Sequence, residues 1–554
     1  MAVYIGKTRI CSAIHVDLED DLNTELTEQE TLLNELEADV NELKDISNET
    51  LNINENGEYD VKDYGKVIVN VGGGGKEIEV TMPEALSTGT IYHFVVNDDT
   101  ILFSSSTSNI GVWVYKISSN SWTQAYDVSI NWKFFQKIDG GCFISSSAGL
   151  NGILLYNEVD DTITKIYSSN SHWDIYLQVG NNWLISSSNA TKGLLLYNAK
   201  DNTITKIYSD GYYWRNFKVI GDVCLISAYN YNGTGLLLYN LIDNTITQAF
   251  SGGSNWEIFQ KVGNNWLISG TGNGATGVLL YNPTNNTVTK PYTTTTVGWQ
   301  YFQIVGDNCL ISSSASNTGV LLYNSSDNTI TQAYSSGYNW QYFQIVGDNC
   351  LICSSASNTG VLLYNSSDNT VTQVYATGYY WCYFQMVGDK CLIGSTTSSG
   401  KGILVYNIFD NTITQIYLDG YKWQNFELVG DNCLISCDSN SPNGLFFYNS
   451  TENTITRIYS DGYGWKYFKK VDDTKILVSS HLDYPESCKG VLLYNSVDNS
   501  VVRIYNDGMQ YDTFTQDGNN YYIESSVETT NKSVLYYNST DDTCKRVKYY
   551  IGEI

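Results

Sequence analysis

Short loops that place Tyr directly ahead of a recurring Trp contain the first residues that could do chemistry. They read GYYW, GYNW, GYKW and GYGW, and their Trp recurs every 41 to 43 residues from Trp132 to Trp465. Tyr rings stack on the C–H faces of sugars while their hydroxyl groups form hydrogen bonds, and neighbouring Ser, Gly and Asn add adaptable polar contacts. Ligand binding, with ordinary surface exposure as the alternative, is predicted for Tyr212, Tyr213, Tyr338, Tyr379, Tyr380, Tyr421 and Tyr463.

Residues that break the repeat form a second group of predicted contacts. Tyr229 and Tyr231 occur in the segment SAYNYNGTG. The insertion HLDYPESCKG contains His481, Asp483, Tyr484 and Glu486. Packing that is common to all copies does not require these residues, so we predict that they also contact the ligand. The Trp of the loops recurs at one position, from copy to copy, and is therefore predicted to be a packing anchor.

The sequence favours binding over catalysis. The four His residues are scattered, and neither a Ser-His-Asp arrangement nor a metal-ligand spacing is present. Glycoside hydrolysis needs two carboxylates that face one pocket, and the acidic pair outside the repeat pattern is Asp483 with Glu486. We predict no catalytic residue, no cofactor and no metal, with a sialidase-like or polysaccharide-degrading enzyme as the alternative. Turn capping is predicted instead for Asp160, Asp201, Asp243, Asp327, Asp368 and Asp410.

The loops recur at a constant spacing, so a repeated structural unit must position them. Each copy contains four short runs, exemplified by WQYFQIV, CLISSS, GVLLYN and TITQAY, with Gly, Asn, Asp or Ser between them. Runs of this length, rich in β-branched and aromatic residues, indicate strands, and the non-alternating GVLLYN indicates a strand buried on both faces. The marker Tyr recurs in eleven copies, 41 to 46 residues apart, as Tyr115, Tyr156, Tyr197, Tyr239, Tyr281, Tyr323, Tyr364, Tyr406, Tyr448, Tyr494 and Tyr537.

A four-stranded unit of this size cannot bury both of its faces alone, and radial stacking of such units gives a β-propeller. The order of signals resembles Kelch-type propellers, with SSS where Kelch repeats have Gly-Gly and a YN…T hairpin where they have Tyr-Asp…Trp. We therefore predict an all-β chain with about eleven four-stranded blades, in one wide ring or in two rings. In a propeller the loops between strands two and three share a face with the loops between blades, which gathers the predicted contacts on one face.

Six Cys residues occupy one repeat position, which Trp183 and Trp266 fill in two other copies. A position that accepts Cys or Trp is most simply a buried apolar slot, so we predict free core thiols rather than disulfides. These residues are Cys142, Cys224, Cys309, Cys350, Cys391 and Cys433.

The net charge of −27 disfavours nucleic acid as a partner, because phosphates require a basic footprint. No apolar run is long enough for a membrane span, and we expect no signal peptide at the start. Residues 17–49 hold thirteen of the acidic residues and one Lys.

Residues 18–46 fit a heptad pattern with Leu22, Gln29, Leu36 and Leu43 at d and Leu26, Leu33 and Val40 at a. The pattern favours a homo-oligomeric coiled coil over a single amphipathic helix lying on its own protein. The predicted domains are an N-terminal anchor and coiled-coil helix over 1–50, a small β module with a Gly-rich linker over 51–90, and the propeller over 91–554.

The segment NGEYDVKDYGKVIVNV (residues 56–71) has two strand-like runs around a turn and precedes four Gly residues. It resembles small modules of tail and baseplate proteins of phages and prophages of gut Firmicutes. With a stalk-like helix before it and repeats after it, the layout resembles a phage fibre or receptor-binding protein. The resemblance implies a virion protein, a trimer as the first oligomer to test, contacts with other tail or baseplate proteins through residues 1–75, and a head that binds a host cell-surface glycan or protein. A passive structural virion protein is a further alternative.

Overall fold

The computed structural model is built from strands, and no helix occurs in the residues that it describes. The predicted coiled coil over 18–46 lies outside these residues. The described residues are 4–5, 8–9, 12–13, 50–53, 57–62, 66–71, 76–81, 88–97, 99–105, 111–128, 132–146, 152–169, 171–187, 192–229, 235–253, 255–270, 276–314, 319–337, 339–355, 360–377, 380–395, 402–418, 423–437, 444–461, 464–480, 490–506, 510–525, 534–547 and 551–552.

Eleven antiparallel sheets, here called blades 1 to 11 in chain order, repeat along the chain, and each contains strands A, B, C and D in that order. The A strands are Thr88–Asn97, Trp132–Ile138, Ile175–Val179, Trp214–Ile220, Ile258–Val262, Trp299–Val305, Trp340–Val346, Trp381–Val387, Trp423–Val429, Trp465–Lys470 and Thr513–Asp517. The B strands are Thr100–Ser105, Gly141–Ser146, Asn182–Ser186, Val223–Ala228, Asn265–Ser269, Asn308–Ser313, Asn349–Ser354, Lys390–Ser395, Asn432–Cys437, Lys475–Ser480 and Asn520–Glu524. The C strands are Val112–Lys116, Ile153–Asn157, Lys192–Asn198, Leu236–Asn240, Thr276–Asn282, Val320–Asn324, Val361–Asn365, Ile403–Asn407, Leu445–Asn449, Val491–Asn495 and Val534–Asn538. The D strands are Ser121–Tyr126, Thr162–Tyr167, Thr203–Tyr212, Ile246–Phe250, Thr287–Val297, Thr329–Tyr334, Thr370–Tyr375, Thr412–Tyr417, Thr454–Tyr459, Ser500–Tyr505 and Thr543–Val547. The predicted all-β propeller architecture is confirmed.

The N-terminal strands join several sheets. Gly57–Lys62 pairs with the A strand of blade 1 and makes that sheet five-stranded. The second predicted run, Lys66–Val71, lies in another sheet between Thr50–Ile53 and Lys76–Thr81. The two runs are therefore both strands, but they do not form a hairpin. Two short pairings complete the strands: Tyr4–Ile5 with Thr8–Arg9, and Ser12–Ala13 with Ile551–Gly552.

The C strand is the buried centre of each blade, as its continuous apolar run predicts. In Val320–Asn324 the first four residues are buried and the last is half-buried. Gly319 directly precedes the strand with a φ of +65°, and a Cβ there would lie 1.8 Å from the carbonyl oxygen of Tyr334 in strand D. Only Gly fits this position, because the bulge between strands C and D brings the two backbones together.

The marker Tyr locks the turn between strands C and D in all eleven blades. In blade 7 the hydroxyl of Tyr364 donates to Oδ1 of Asn369, 2.8 Å away, and Asn369 has a φ of +59°. Asn tolerates this left-handed conformation, and its side chain accepts the hydrogen bond of the buried phenol. The other pairs are Tyr115–Asn120, Tyr156–Asp161, Tyr197–Asn202, Tyr239–Asn244, Tyr281–Asn286, Tyr323–Asn328, Tyr406–Asn411, Tyr448–Asn453, Tyr494–Asn499 and Tyr537–Asp542.

A hydrophobic cluster joins each blade to the next, so the ten junctions form one uninterrupted succession. At the junction of blades 6 and 7, Tyr334 meets the buried ring of Trp340 edge to face, with 5.8 Å between the ring centroids. Ser312 of blade 6 also donates its hydroxyl hydrogen bond to the carbonyl of Trp340. The small residues that end strand B therefore serve the junction, because a hydroxyl there reaches the next blade.

The cysteine slot is confirmed. All six Cys residues predicted for it are buried and free. Burial raises the pKa of the Cys224 thiol to about 12, because the thiolate would lose its solvation.

Candidate functional site

Two kinds of loop come together at one end of the blades, here called the loop face: the B–C loops and the loops that lead from strand D to the next strand A. The backbone N–H of Tyr229, after strand B of blade 4, donates to the carbonyl of Tyr213, ahead of strand A (2.8 Å). The same bond joins Ser355 to Asn339 in blade 7 (3.1 Å). The predicted arrangement of both loop types on one face is confirmed. The opposite end, with the A–B and C–D turns, is called the turn face.

Trp side chains lie directly beneath the loop face. Trp340 is 1 % exposed, and its indole N–H donates to the carbonyl of Ser336, four residues earlier in the loop (3.1 Å). Trp381 and Trp214 hold their loops in the same way through Thr377 and Asp210. The Trp residues are therefore packing anchors, as predicted, and in these three blades the indole also holds the loop that precedes it. Fully buried members of the set are Trp132, Trp173, Trp214, Trp256, Trp299, Trp340, Trp381, Trp423 and Trp465.

Where the structure describes the residue just before the anchor, its backbone is left-handed in six blades. Asn and Gly, which tolerate this conformation, occupy it as Asn255, Gly298, Asn339 and Gly464. In the two remaining blades the residue is Tyr213 or Tyr380, each with a φ of +55°. Left-handed backbone is unfavourable for a bulky side chain, and such outliers concentrate at functional sites. The two half-buried Tyr residues thus break a local rule that the other four blades obey.

Tyr229 is the most open of the predicted contacts that the structure describes. Its side chain is 50 % exposed, and the guanidinium carbon of Arg215 lies 4.8 Å from the centre of its ring. Together with Tyr213, these residues form the blade 4 cluster. Sequence reasoning missed Arg215, although the signal was present: the position after the anchor Trp is Gln in blades 6, 7 and 9.

Long hairpins flank blade 4 at the loop face. The D strands of blades 3 and 5 contain 10 and 11 residues, whereas the D strands of blades 4 and 6 contain 5 and 6. Their ends pair with extended C strands at Lys192–Tyr212 and Thr276–Val297. Tyr212, another predicted contact, is the last residue of the first hairpin. The remaining predicted residues lie outside the described ones; they are Tyr231, Tyr338, Tyr379, Tyr421, Tyr463 and Tyr484, with His481, Asp483 and Glu486.

A cleft of about 390 Å³ opens along the A strands of blades 9 to 11. Its polar lining includes Glu427, Lys466 and Asp512, and the rings of Tyr467 and Phe514 add aromatic surface. Burial raises the pKa of the Glu427 carboxyl, although the positive charge of Lys470 opposes the shift. Sequence reasoning missed this pair of carboxylates. Its signal is that Glu427 replaces the Gln found at the equivalent position of blades 5 to 8.

The Asp residues of the turn face cap turns, as predicted. Oδ1 of Asp327 accepts hydrogen bonds from the backbone N–H and the hydroxyl of Thr329, 3.1 and 2.7 Å away. These bonds hold the pKa of the Asp327 carboxyl below its usual value. Equivalent caps occur at Asp160, Asp201, Asp243, Asp368 and Asp410.

Among the described residues, no group of three or more His, Cys, Asp and Glu side chains could hold a metal ion. The same part of the chain contains no helix that is both long and apolar enough to cross a membrane.

No protein-family model and no curated protein matches the chain. Among solved structures, it is similar to an extracellular domain of a one-component system from B. thetaiotaomicron, with 13 % identity, 89 % of this chain and 76 % of that chain covered, and a TM-score of 0.27. It is also similar to the tricorn protease, with 10 % identity, coverages of 86 % and 55 %, and a TM-score of 0.25. A third similar structure is the dihydro-heme d1 dehydrogenase NirN, with 10 % identity, coverages of 68 % and 75 %, and a TM-score of 0.30. Likeness at this level carries no argument about ligand or activity.

Proposed function

We propose that this protein is a virion attachment protein, a homo-oligomeric phage fibre whose propeller head binds a bacterial surface glycan or protein through the loop face. The phage-like segment at residues 56–71 and the heptads over 18–46 support the virion part of the proposal. The loop face, with Tyr side chains above a rigid floor of Trp, supports the binding part. In this proposal the chain is not an enzyme.

The observation that carries the binding role is the left-handed backbone of Tyr213 and Tyr380. A left-handed residue with a Cβ costs about 1–2 kcal/mol, and Asn lowers this cost by bonding locally. The fold would therefore be better served by Asn, as in Asn255 and Asn339 of other blades. Aromatic rings placed there against the local preference are explained by a contact outside the blade.

The proposed assembly follows from the layout of the chain. Residues 1–75 contact other tail or baseplate proteins, and the helix over 18–46 joins copies of the chain, with a trimer as the first state to test. The propeller then projects outward as the head. Native mass spectrometry of the full chain measures the number of copies, and a monomer at all concentrations would contradict the oligomeric part.

Adhesion of the full chain to whole bacteria and to purified cell-wall preparations tests the attachment role. The double substitution Tyr213→Asn with Tyr380→Asn leaves the free energy of unfolding unchanged or raises it, because Asn suits the backbone better. It is expected to reduce adhesion at least tenfold on the affinity scale, or about 1.4 kcal/mol. The matched control is Asn339→Gly, which changes the same position in blade 7 without removing a ring and leaves adhesion intact.

Three outcomes would contradict the attachment role. The first is the absence of adhesion to every wall preparation and strain. The second is full adhesion by the double variant. The third is burial of the loop face against another virion protein, which would favour the passive structural alternative.

Hydrolysis of polysaccharide is a second candidate function, favoured by one observation. Glu427 and Asp512 line the same cleft, and burial raises the pKa of Glu427, as in the general acid of many glycosidases. Release of reducing ends from host polysaccharide, abolished by Glu427→Gln or Asp512→Asn, would support it. Gln occupies the equivalent of position 427 in other blades, so the first variant retains the fold. Loss of activity on Asp483→Ala or Glu486→Ala would point to the insertion instead.

A further inference from the structure

The blade 4 cluster of Tyr213, Arg215 and Tyr229 has a property that the proposed function does not use. The Arg215 side chain is exposed at the loop face, one residue after the buried anchor Trp214. Its guanidinium stacks on the ring of Tyr229 at 4.8 Å. The bond between the backbones of Tyr229 and Tyr213 keeps the three residues together.

Arg215 differs from Arg503 and Arg457, whose guanidinium groups have partners in the chain. Arg503 forms an ion pair with Asp461 at 3.0 Å, and Arg457 donates to the carbonyl of Ser460 at 2.6 Å. Arg215 forms no ion pair with any described residue, although the chain contains 58 acidic residues against 31 basic ones. A guanidinium carries its N–H donors in a planar fork, and this geometry suits a carboxylate or a phosphate.

Packing does not explain an Arg at this position. The equivalent residue is Gln in blades 6, 7 and 9, so the fold accepts a neutral side chain there. In the two flanking blades the equivalent residues are acidic, Asp174 and Glu257. An anion is therefore attracted at blade 4 and disfavoured at the equivalent position of the two adjacent blades; the position is basic again in blades 2 and 10, as Lys133 and Lys466.

We infer that the blade 4 cluster binds the oxyanion of an anionic glycan. The guanidinium of Arg215 receives the carboxylate or phosphate, and the rings of Tyr213 and Tyr229 receive the C–H face of the adjoining sugar. The hairpins that end at Tyr212 and Val297 stand on either side and give the sugar chain its direction. This inference rests on the proposed attachment function and names the class of its ligand.

Binding of the full chain to three defined probes tests the inference: a carboxylated polyuronate, a phosphate-bearing wall teichoic acid, and a neutral polysaccharide. We expect the chain to bind at least one of the two anionic probes, and salt to weaken this binding. Comparison of the polyuronate with the teichoic acid shows whether a carboxylate or a phosphate is preferred. Arg215→Gln is expected to weaken that binding at least about tenfold, because charge-assisted hydrogen bonds are lost. Arg215→Lys retains the charge but not the fork and gives an intermediate loss.

Two controls separate the site from the fold and from net charge. Arg457→Gln removes the same charge from strand D of blade 9, where blades 6 to 8 have Gln, and is expected to leave binding unchanged. Tyr229→Phe keeps the ring under the guanidinium and retains most of the affinity, whereas Tyr229→Ala does not.

The inference and the proposed function fail in different ways. Adhesion to bacteria with binding to the neutral probe alone, or an Arg215→Gln variant as strong as the parent, would overturn the anionic ligand and leave attachment standing. Equal losses for Arg215→Gln and Arg457→Gln would also overturn it, since they would reflect net charge. Absence of adhesion to any bacterium or wall preparation would overturn the attachment function itself.

Discussion

The turn face and the loop face are built from the same eleven repeats but follow different rules. On the turn face every C–D turn has the same lock, a phenol bonded to a left-handed Asn or Asp, as in Tyr364 with Asn369. On the loop face the corresponding positions vary from Asn339 to Tyr380, and bulky side chains adopt an unfavourable backbone. One face is specified by the fold alone, and the other carries residues that the fold does not need.

Contacts between blades follow the same division. On the turn face the amide of Asn308 bonds both the hydroxyl of Tyr364 and Oδ1 of Asn369 in the next blade, at 3.1 and 2.7 Å. At the loop face the buried anchor Trp340 packs in the junction, and the residue just before the anchor differs between blades. The difference teaches that stability and recognition are separated along each blade, so substitutions should affect one property without the other.

The largest expected effect comes from a substitution in the layer of Trp anchors, which lies between the loop face and the turn face. Trp340→Ala empties the core of the junction between blades 6 and 7 and releases the loop carbonyl that the indole holds. We expect a loss of about 3–5 kcal/mol in the free energy of unfolding, from lost burial and the cavity left behind. Urea denaturation followed by circular dichroism measures it. Gln341→Ala, one residue away, is the control, and a loss below about 1 kcal/mol for Trp340→Ala would show that the Trp layer does not anchor the loops.

Removal of one Tyr hydroxyl from each face compares how much each face contributes to stability. Tyr364→Phe deletes the donor to Asn369 and the acceptor for Asn308, and we expect a loss of about 1 kcal/mol. Tyr380→Phe, on the loop face, is expected to change stability by less than about 0.5 kcal/mol, because no described residue bonds its hydroxyl. Parallel urea titrations measure both. Equal losses would remove the distinction between the faces.

A charged version of the turn-face contact occurs at the junction of blades 10 and 11. Nζ of Lys475 lies 2.7 Å from Asp542, at positions where Asn308 and Asn369 form an amide pair in blades 6 and 7. We expect Lys475→Asn and Asp542→Asn each to cost up to about 1 kcal/mol, and the double variant to recover most of it as an amide pair. A double-mutant cycle at low and high ionic strength measures the coupling, which salt should weaken. Additive losses that salt does not change would contradict an interaction between the two side chains.

The sequence predicted those features that most blades share. Strand order, the Trp anchors, the Cys slot and the capping Asp residues recur because each blade packs on a near-copy of itself, so a single spacing determines them. The stacking of Arg215 on Tyr229 and the cleft shared by Glu427 and Asp512 each depend on residues from different strands or blades. The periodicity of the sequence contains no information about such pairs. They could have been predicted only from a residue whose type differs from that at the equivalent position of other blades.

The smallest expected difference between the two faces is the dependence of stability on acidic pH. Hydrogen bonds from the hydroxyl and backbone of Thr329 lower the pKa of Asp327, and equivalent bonds from Thr412 lower that of Asp410. A carboxyl with a lowered folded-state pKa stabilises the fold above its unfolded pKa of about 3.9, and this stabilisation is lost as the pH falls through the folded value. Glu427 has the opposite sign, since burial raises its pKa, but it is outnumbered by the caps.

We therefore expect the melting temperature to fall slightly as the pH drops below about 4, and Asp327→Asn to flatten that slope without changing stability at neutral pH. Thermal melts across the pH range measure the effect, with Tyr380→Phe as the loop-face control that retains the parent slope. Because Asn also caps such turns, as Asn285 does for Thr287, the variant isolates the titration from the cap. A Tyr380→Phe slope as flat as that of Asp327→Asn would mean that acid acts on both faces alike. The turn face would then no longer be the part of the blade whose stability depends on its carboxylates.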